Sequence, residues 1–235
     1  MNFGYNKLYI NGTLQDAENG YRQKVICPAN GKEVAMIAEA GKKDTIKALK
    51  SAKQGFEYWS KLSLNKRSSW MKKLRKAILE KENNLRLAII CEMGKTYEGS
   101  YEDIEALSNA LDRYPRAMKS YCDEHITDIE GTHNHKMIHK PAGVVVAYLA
   151  WNFPLLNLAF KLGPALASGC SIIIKPSEIS PLSAYILGEI LYDINFPKGV
   201  VNILCGPTEH VAMVLTRSTI PSVLTMIGST ATGMK

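Results

Sequence analysis

The stretch YLAWNFPLLN, Tyr148 to Asn157, ends an apolar run with a single amide, Asn152, set between Trp151 and Phe153-Pro154. An amide buried without partners costs about 1–3 kcal/mol, so this side chain in such company needs a structural partner or a ligand. Two other polar clusters also follow apolar runs: KPSE (Lys175, Pro176, Ser177, Glu178) after SIIIK, and GST (Gly228, Ser229, Thr230) after SVLTMI. KPSE brings a cation and a carboxylate to the end of its strand. Gly-Ser-Thr opening a helix would turn its first backbone N–H groups toward a phosphate. Each cluster also has a structural reading, with Asn152 capping the helix that Pro154 begins, Lys175 solvated, and GST a turn.

The elements that must position these groups change character along the chain. GVVVAYLA, SIIIK, VVNIL and SVLTMI are short, continuous, β-branched runs separated by helix-like segments. Strands apolar on both faces that alternate with helices indicate a parallel sheet covered on both sides, with ligands at the carboxyl ends of the strands. Ahead of them lie two hairpin signals, KLYINGTLQ with its turn at Asn11-Gly12 and VICPANGKEVAMIA with one at Asn30-Gly31. Helices follow over Asp44 to about Ser60, Asn65 to about Lys81, Asn83 to Glu92 with a stop at Gly94, and about Gly99 to Lys119. In the last of these Ile104, Leu107, Leu111, Tyr114 and Met118 form an apolar stripe, which Pro115 should kink or divide.

The glycine signals exclude the ordinary fingerprints. No GxGxxG follows any of the strands, and GSTATGMK fails as a P-loop because Lys235 falls one position late after Gly233. The polar segment THNHKMIHKP should be extended. There His133, His135 and His139 would share one strand face, a zinc- or copper-binding reading that competes with an ordinary exposed strand.

Composition limits the class. The 235 residues are 46% hydrophobic, enough for a substantial core, and no run approaches the roughly 20 apolar residues of a membrane span. The opening MNFGYNKLYING lacks a secretory apolar core, so a cytoplasmic location is expected. Cys27, Cys91, Cys122, Cys170 and Cys205 form no CxxC pair and read as reduced thiols. The net charge of +7 sits largely in KKDTIKALKSAK and NKRSSWMKKLRK, where lysines recur at the spacing of a solvated helix face rather than a nucleic-acid surface.

AWNFP, KPSE and GST, in this order and each at the end of a strand, closely resemble the aldehyde dehydrogenase superfamily. LYING, ICPANGKEVAMIAEA, FEYW and EMGKTYEG fall in the family's usual sequence ahead of them. The resemblance implies an α/β fold: a Rossmann-like, doubly wound parallel sheet with an amino-terminal helical region and an extended β-hairpin oligomerisation arm. Residues 1–126 would hold hairpins and helices, 127–142 the arm, and 143–235 the cofactor-binding segment, with the catalytic domain absent. In the family a cysteine thiolate attacks an aldehyde, a hydride passes to nicotinamide, and water activated by a glutamate releases the acid.

Residue by residue, Asn152 matches the oxyanion-hole asparagine and Lys161 a lysine of the proton network. Ala150, Trp151, Lys175, Ser177, Glu178, Gly228 and Ser229 match cofactor-binding positions. Lys175 and Glu178 would hold the adenosine ribose, and Ser229 the pyrophosphate. A carboxylate near the ribose 2′-oxygen disfavours a 2′-phosphate, so NAD is expected over NADP, with Lys175 partly offsetting that repulsion. The partners implied are a small aldehyde, a semialdehyde among the candidates, and further copies in a homodimer or homotetramer, with no nucleic acid and no membrane.

Departures are Ala150 in place of a proline, MIGS in place of Phe-Thr-Gly-Ser, and CGPTEH, which lacks the second glycine common in that loop. The nucleophilic cysteine and general-base glutamate of the family lie beyond GST, so the expectation is a truncated enzyme, inactive alone. The alternative is a noncatalytic dinucleotide-binding or partner-binding module.

Overall fold

Asn11 and Gly12 take φ values of 54° and 75°, the left-handed pair that closes a two-residue hairpin. The computed structural model describes residues 2–121 and 124–234; Cys122 and Lys235, two residues named above, lie outside that range. Five short strands come first: β1 (Tyr5–Asn6), β2 (Leu8–Ile10), β3 (Thr13–Gln15), β4 (Arg22–Ile26) and β5 (Glu33–Ala38). Asn11-Gly12 joins β2 to β3, as its sequence implies. Asn30-Gly31 lies in a longer connection between β4 and β5, where only Gly31 is left-handed and its N–H reaches back to the Cys27 carbonyl.

Four helices follow, α1 (Lys42–Trp59), α2 (Leu64–Glu80), α3 (Glu82–Met93) and α4 (Tyr97–Ala117). Gly94, left-handed at φ 72°, ends α3. Pro115 does not divide α4, which continues for two more residues; so close to the end, the missing N–H removes one bond from the last turn only. Ile104, Leu107 and Leu111 are fully buried, while Tyr114 and Met118 pack against the core from its margin.

The remaining elements are β6 (Glu124–Thr127), β7 (Asn134–Met137), β8 (Val144–Tyr148), α5 (Pro154–Ser168), β9 (Ser171–Lys175), α6 (Leu182–Asp193), β10 (Val201–Ile203), α7 (Ala212–Arg217), β11 (Pro221–Met226) and α8 (Thr230–Gly233). One sheet runs β11-β8-β9-β10-β2-β3; it is parallel from β11 to β10 and antiparallel beyond. The amino-terminal hairpin therefore extends the parallel sheet, with Tyr9 opposite Ile203. β1, β5 and β4 form a second sheet, and β6 and β7 form a two-stranded sheet.

β9 and β10 are buried throughout and β8 nearly so, which explains their unbroken apolar runs. β11 differs from that expectation: paired on one side only, it leaves Val223 and Leu224 exposed. Helix α1 lies so close to the loop before β10 that a Cβ on Gly55 would sit 2.2 Å from the carbonyl carbon of Gly199. Among the described residues no helix is long and apolar enough to cross a membrane.

Charged side chains of the helical region fix the sheet's helices at their ends. No side chain of its own caps α5, and Asp103 of α4 takes that role, accepting from the N–H groups of Leu155 and Leu156 at 2.9 Å each. At the other end Arg67 of α2 donates through Nε to the Ala167 carbonyl at 3.2 Å. Glu92 of α3 does the same for α6, accepting from Leu182 at 2.6 Å and Ser183 at 3.0 Å. A carboxylate at a helix start and a guanidinium at a helix end both oppose the backbone dipole charge.

Candidate functional site

The strand order places three polar segments side by side at one edge of the sheet. GST follows β11, AWN follows β8 and KPSE follows β9, and these are neighbouring parallel strands. Backbone bonds bind the ends together: Leu149 N–H donates to the Lys175 carbonyl at 3.1 Å, and Ile227 N–H to the Tyr148 carbonyl at 3.3 Å. Ser180 Oγ donates to the Trp151 carbonyl at 2.8 Å, tying the two loops beyond β8 and β9.

Asn152 is exposed, which corrects the expectation of an amide enclosed by apolar neighbours. The buried amide is Asn157, one turn into α5, only 5% exposed. Its Nδ2 donates to the Ala150 carbonyl and to Asn152 Oδ1, both at 3.4 Å. Asn152 thus spends its oxygen inward and turns its N–H pair out of the protein. Next to it, the Phe153 ring lies under the ammonium of Lys95, 3.5 Å from the centroid, and Lys95 Nζ is 2.6 Å from Asp103 Oδ2. The segment after β8 is therefore held by a carboxylate, an ammonium and an amide that sequence reasoning did not single out. Asn157 was visible in the quoted stretch but reads there as one polar letter in an apolar helix; Lys95 lies in the quoted EMGKTYEG with nothing to mark this contact, and Asp103 carries no local signal at all.

Lys161, one turn beyond Asn157, is buried with its Nζ 3.4 Å from Thr225 Oγ1 of β11, and burial lowers its pKa. Lys175 extends from the last position of β9 and is also buried. Its ammonium meets the Pro176 carbonyl at 3.4 Å and Glu178 Oε1 at 3.1 Å, which leaves one of its three donors unused among the described residues. Glu178 is exposed, and its carbonyl accepts from Gln23 Nε2 at 2.5 Å. Ser177 Oγ accepts from the Ile179 N–H at 3.2 Å, closing the turn. Trp151 is more than half exposed and Ala150 partly so. Gly228 and Ser229 are exposed, and Ser229 Oγ caps α8 by accepting from Thr232 N–H at 3.2 Å. In the CGPTEH loop, Gly206 lies against the Ala40 carbonyl, 2.3 Å from where a Cβ would stand, so packing alone requires that glycine.

None of the described cysteines is placed as a nucleophile. Cys27, Cys170 and Cys205 are buried, and burial pushes the Cys205 thiol up to about 12. Cys91, partly buried, is raised for the same reason, and a raised thiol holds little of the reactive thiolate. The three histidines do not converge. His133 and His135 stack at 6.3 Å, His139 meets the edge of Tyr121, and no group of three His, Cys, Asp or Glu able to hold a metal occurs among the described residues.

Residues 15–235 match the family model described as "Aldehyde dehydrogenase family". A mitochondrial succinate-semialdehyde dehydrogenase of Oryza sativa subsp. japonica is 32% identical over 96% of this chain and 43% of its own length. A D-glyceraldehyde dehydrogenase (NADP(+)) of Picrophilus torridus is 31% identical over 97% of this chain and 46% of its own. A crystal structure of betaine aldehyde dehydrogenase from Staphylococcus aureus in complex with NAD+ superimposes with a TM-score of 0.92 at 29% identity, covering 97% of this chain and 46% of that one. The chain thus spans under half the length of each of these three proteins.

Proposed function

The chain belongs to the aldehyde dehydrogenase family, and from that premise we propose that it supplies the cofactor site and oxyanion donor of a cytoplasmic NAD-dependent enzyme that oxidises an aldehyde to a carboxylic acid. NAD, when bound, supplies the acceptor of a hydride. Asn152 then directs its outward N–H pair at the aldehyde oxygen as that oxygen becomes negative. A preorganised donor of this kind lowers the barrier by about 3–4 kcal/mol. Lys161 supplies a buried amine, less basic than a solvated lysine, for proton movement beside α5.

Lys175 and Glu178 suit a ribose, because a diol can accept from the unused ammonium donor and donate to the carboxylate. Gly228 and Ser229 are assigned to the pyrophosphate, and Ala150, Trp151 and Ser177 to the walls of the same site. Succinate-semialdehyde and glutarate-semialdehyde dehydrogenases among the relatives keep a semialdehyde among the candidate substrates. Under this reading the attacking thiolate and the general-base carboxylate belong to polypeptide other than the described residues. The exposed β6–β7 hairpin is assigned to subunit pairing in a homodimer or homotetramer.

The observation that carries the reading is the side-by-side placement of Asn152, the Lys175–Glu178 pair and Ser229 at three neighbouring parallel strand ends. Calorimetric titration of the purified chain with NAD, followed by an assay of NADH formation with aldehydes, tests it. Binding that weakens on Lys175→Ala, without turnover, is expected. Turnover by the chain alone would show that one of its own thiols is the nucleophile; NAD binding unaffected by Lys175→Ala would remove the proposed ribose site.

A further inference from the structure

We infer that Asn157 is the positioning residue that sets which way round the Asn152 amide faces. The inference rests on the reading of Asn152 as the oxyanion donor, since only an amide with its nitrogen outward can serve. The orientation follows from a chain of hydrogen-bond logic. A backbone carbonyl accepts and never donates, so the Asn157 atom facing the Ala150 carbonyl must be Nδ2. The same nitrogen faces Asn152, so Asn152 must present Oδ1 to it. The Asn152 nitrogen is thereby turned outward, where it forms no hydrogen bond to the described residues.

The position of Asn157 is itself fixed. It sits in the first turn of α5, its own N–H bonded to the Phe153 carbonyl at 2.8 Å, and that turn is capped by Asp103. Its side chain is almost wholly enclosed, so rotation of its amide would set two carbonyl oxygens, its own and that of Ala150, face to face in a buried place. Asn152 has no such restraint of its own, because its side chain is exposed. The buried amide thus carries the directional information and the exposed amide the chemistry.

The test is nuclear magnetic resonance on the purified chain, reading the side-chain NH2 group of Asn152. In the native chain its order parameter should exceed that of an unrestrained exposed asparagine such as Asn65. Asn157→Leu removes the donor, and the Asn152 group should become as mobile as that of Asn65. Asn157→Asp, nearly isosteric, offers an acceptor in place of the donor. Asn152 should then turn round, and its NH2 protons should exchange with solvent several-fold more slowly. An Asn152 group as mobile as Asn65 in the unaltered chain, or unchanged in Asn157→Asp, overturns the inference, and the first of these needs no variant to fold. The oxyanion reading has a separate readout: if Asn152→Ala leaves kcat of the catalytically complete protein unchanged, that reading fails while the orientation result stands.

Discussion

Asp103 Oδ2 and Lys95 Nζ meet at 2.6 Å with the carboxylate fully buried, while Oδ1 of the same carboxylate caps α5. One aspartate thus links the loop before α4 to the turn that carries Asn152. Asp103→Ala strands a mostly buried ammonium and two backbone N–H groups together, and removing one partner of such a pair costs about 3–5 kcal/mol. Lys95→Met should cost less, because the carboxylate keeps its two N–H donors. Urea unfolding of both variants checks the ranking; an equal loss would mean that the cap contributes nothing beyond the ion pair.

Stability should also carry a pH signature from Glu92. Burial raises its pKa from 4.5 to about 7, although two backbone N–H groups oppose the shift. The folded state therefore binds this proton more tightly than the unfolded chain does. Its contribution is greatest below about pH 4.5 and falls as the pH rises to about 7, with a total on the order of 3 kcal/mol. Glu92→Gln should flatten that part of the profile, measured as unfolding free energy at several pH values between 5 and 8. A slope that survives the substitution would assign the effect to other groups.

Cofactor preference should respond to Glu178. The side chain is exposed and anchored by Lys175, so a 2′-phosphate on the ribose would meet its charge. Glu178→Gln removes a repulsion of about 1 kcal/mol and should shift the NADP-to-NAD ratio of binding constants about fivefold toward NADP. Calorimetry with both dinucleotides reads it directly, and an unchanged ratio would place the carboxylate away from the ribose.

Asn152→Ala, in the protein with its catalytic cysteine, should lower kcat by about 10²–10³ while KM changes little, the usual loss for one oxyanion donor. A change confined to KM would make Asn152 a substrate-binding group instead.

Much of the framework was legible because it is written in short-range terms. Asn11-Gly12 makes its hairpin through two left-handed residues, Gly94 stops α3 in the same way, and SIIIK is apolar throughout because β9 is covered on both faces. The strand-end positions of Asn152, Lys175 and Ser229 follow from the same runs, and AWNFP, KPSE and GST were enough to reach the family. What the tertiary structure alone decided depends on residues brought together from far apart in the chain. Asp103 caps a helix 52 positions away and Glu92 one 90 positions away, and β2 adds itself to β10 from the other end of the molecule. No periodicity marks such a residue, since a buried carboxylate looks the same in sequence whether its partner is a backbone N–H, a lysine or water. Asn152 shows the division most closely: its type and place at a strand end were readable, but its exposure and the direction of its amide depend on the buried nitrogen of Asn157 and on a helix start held by Asp103.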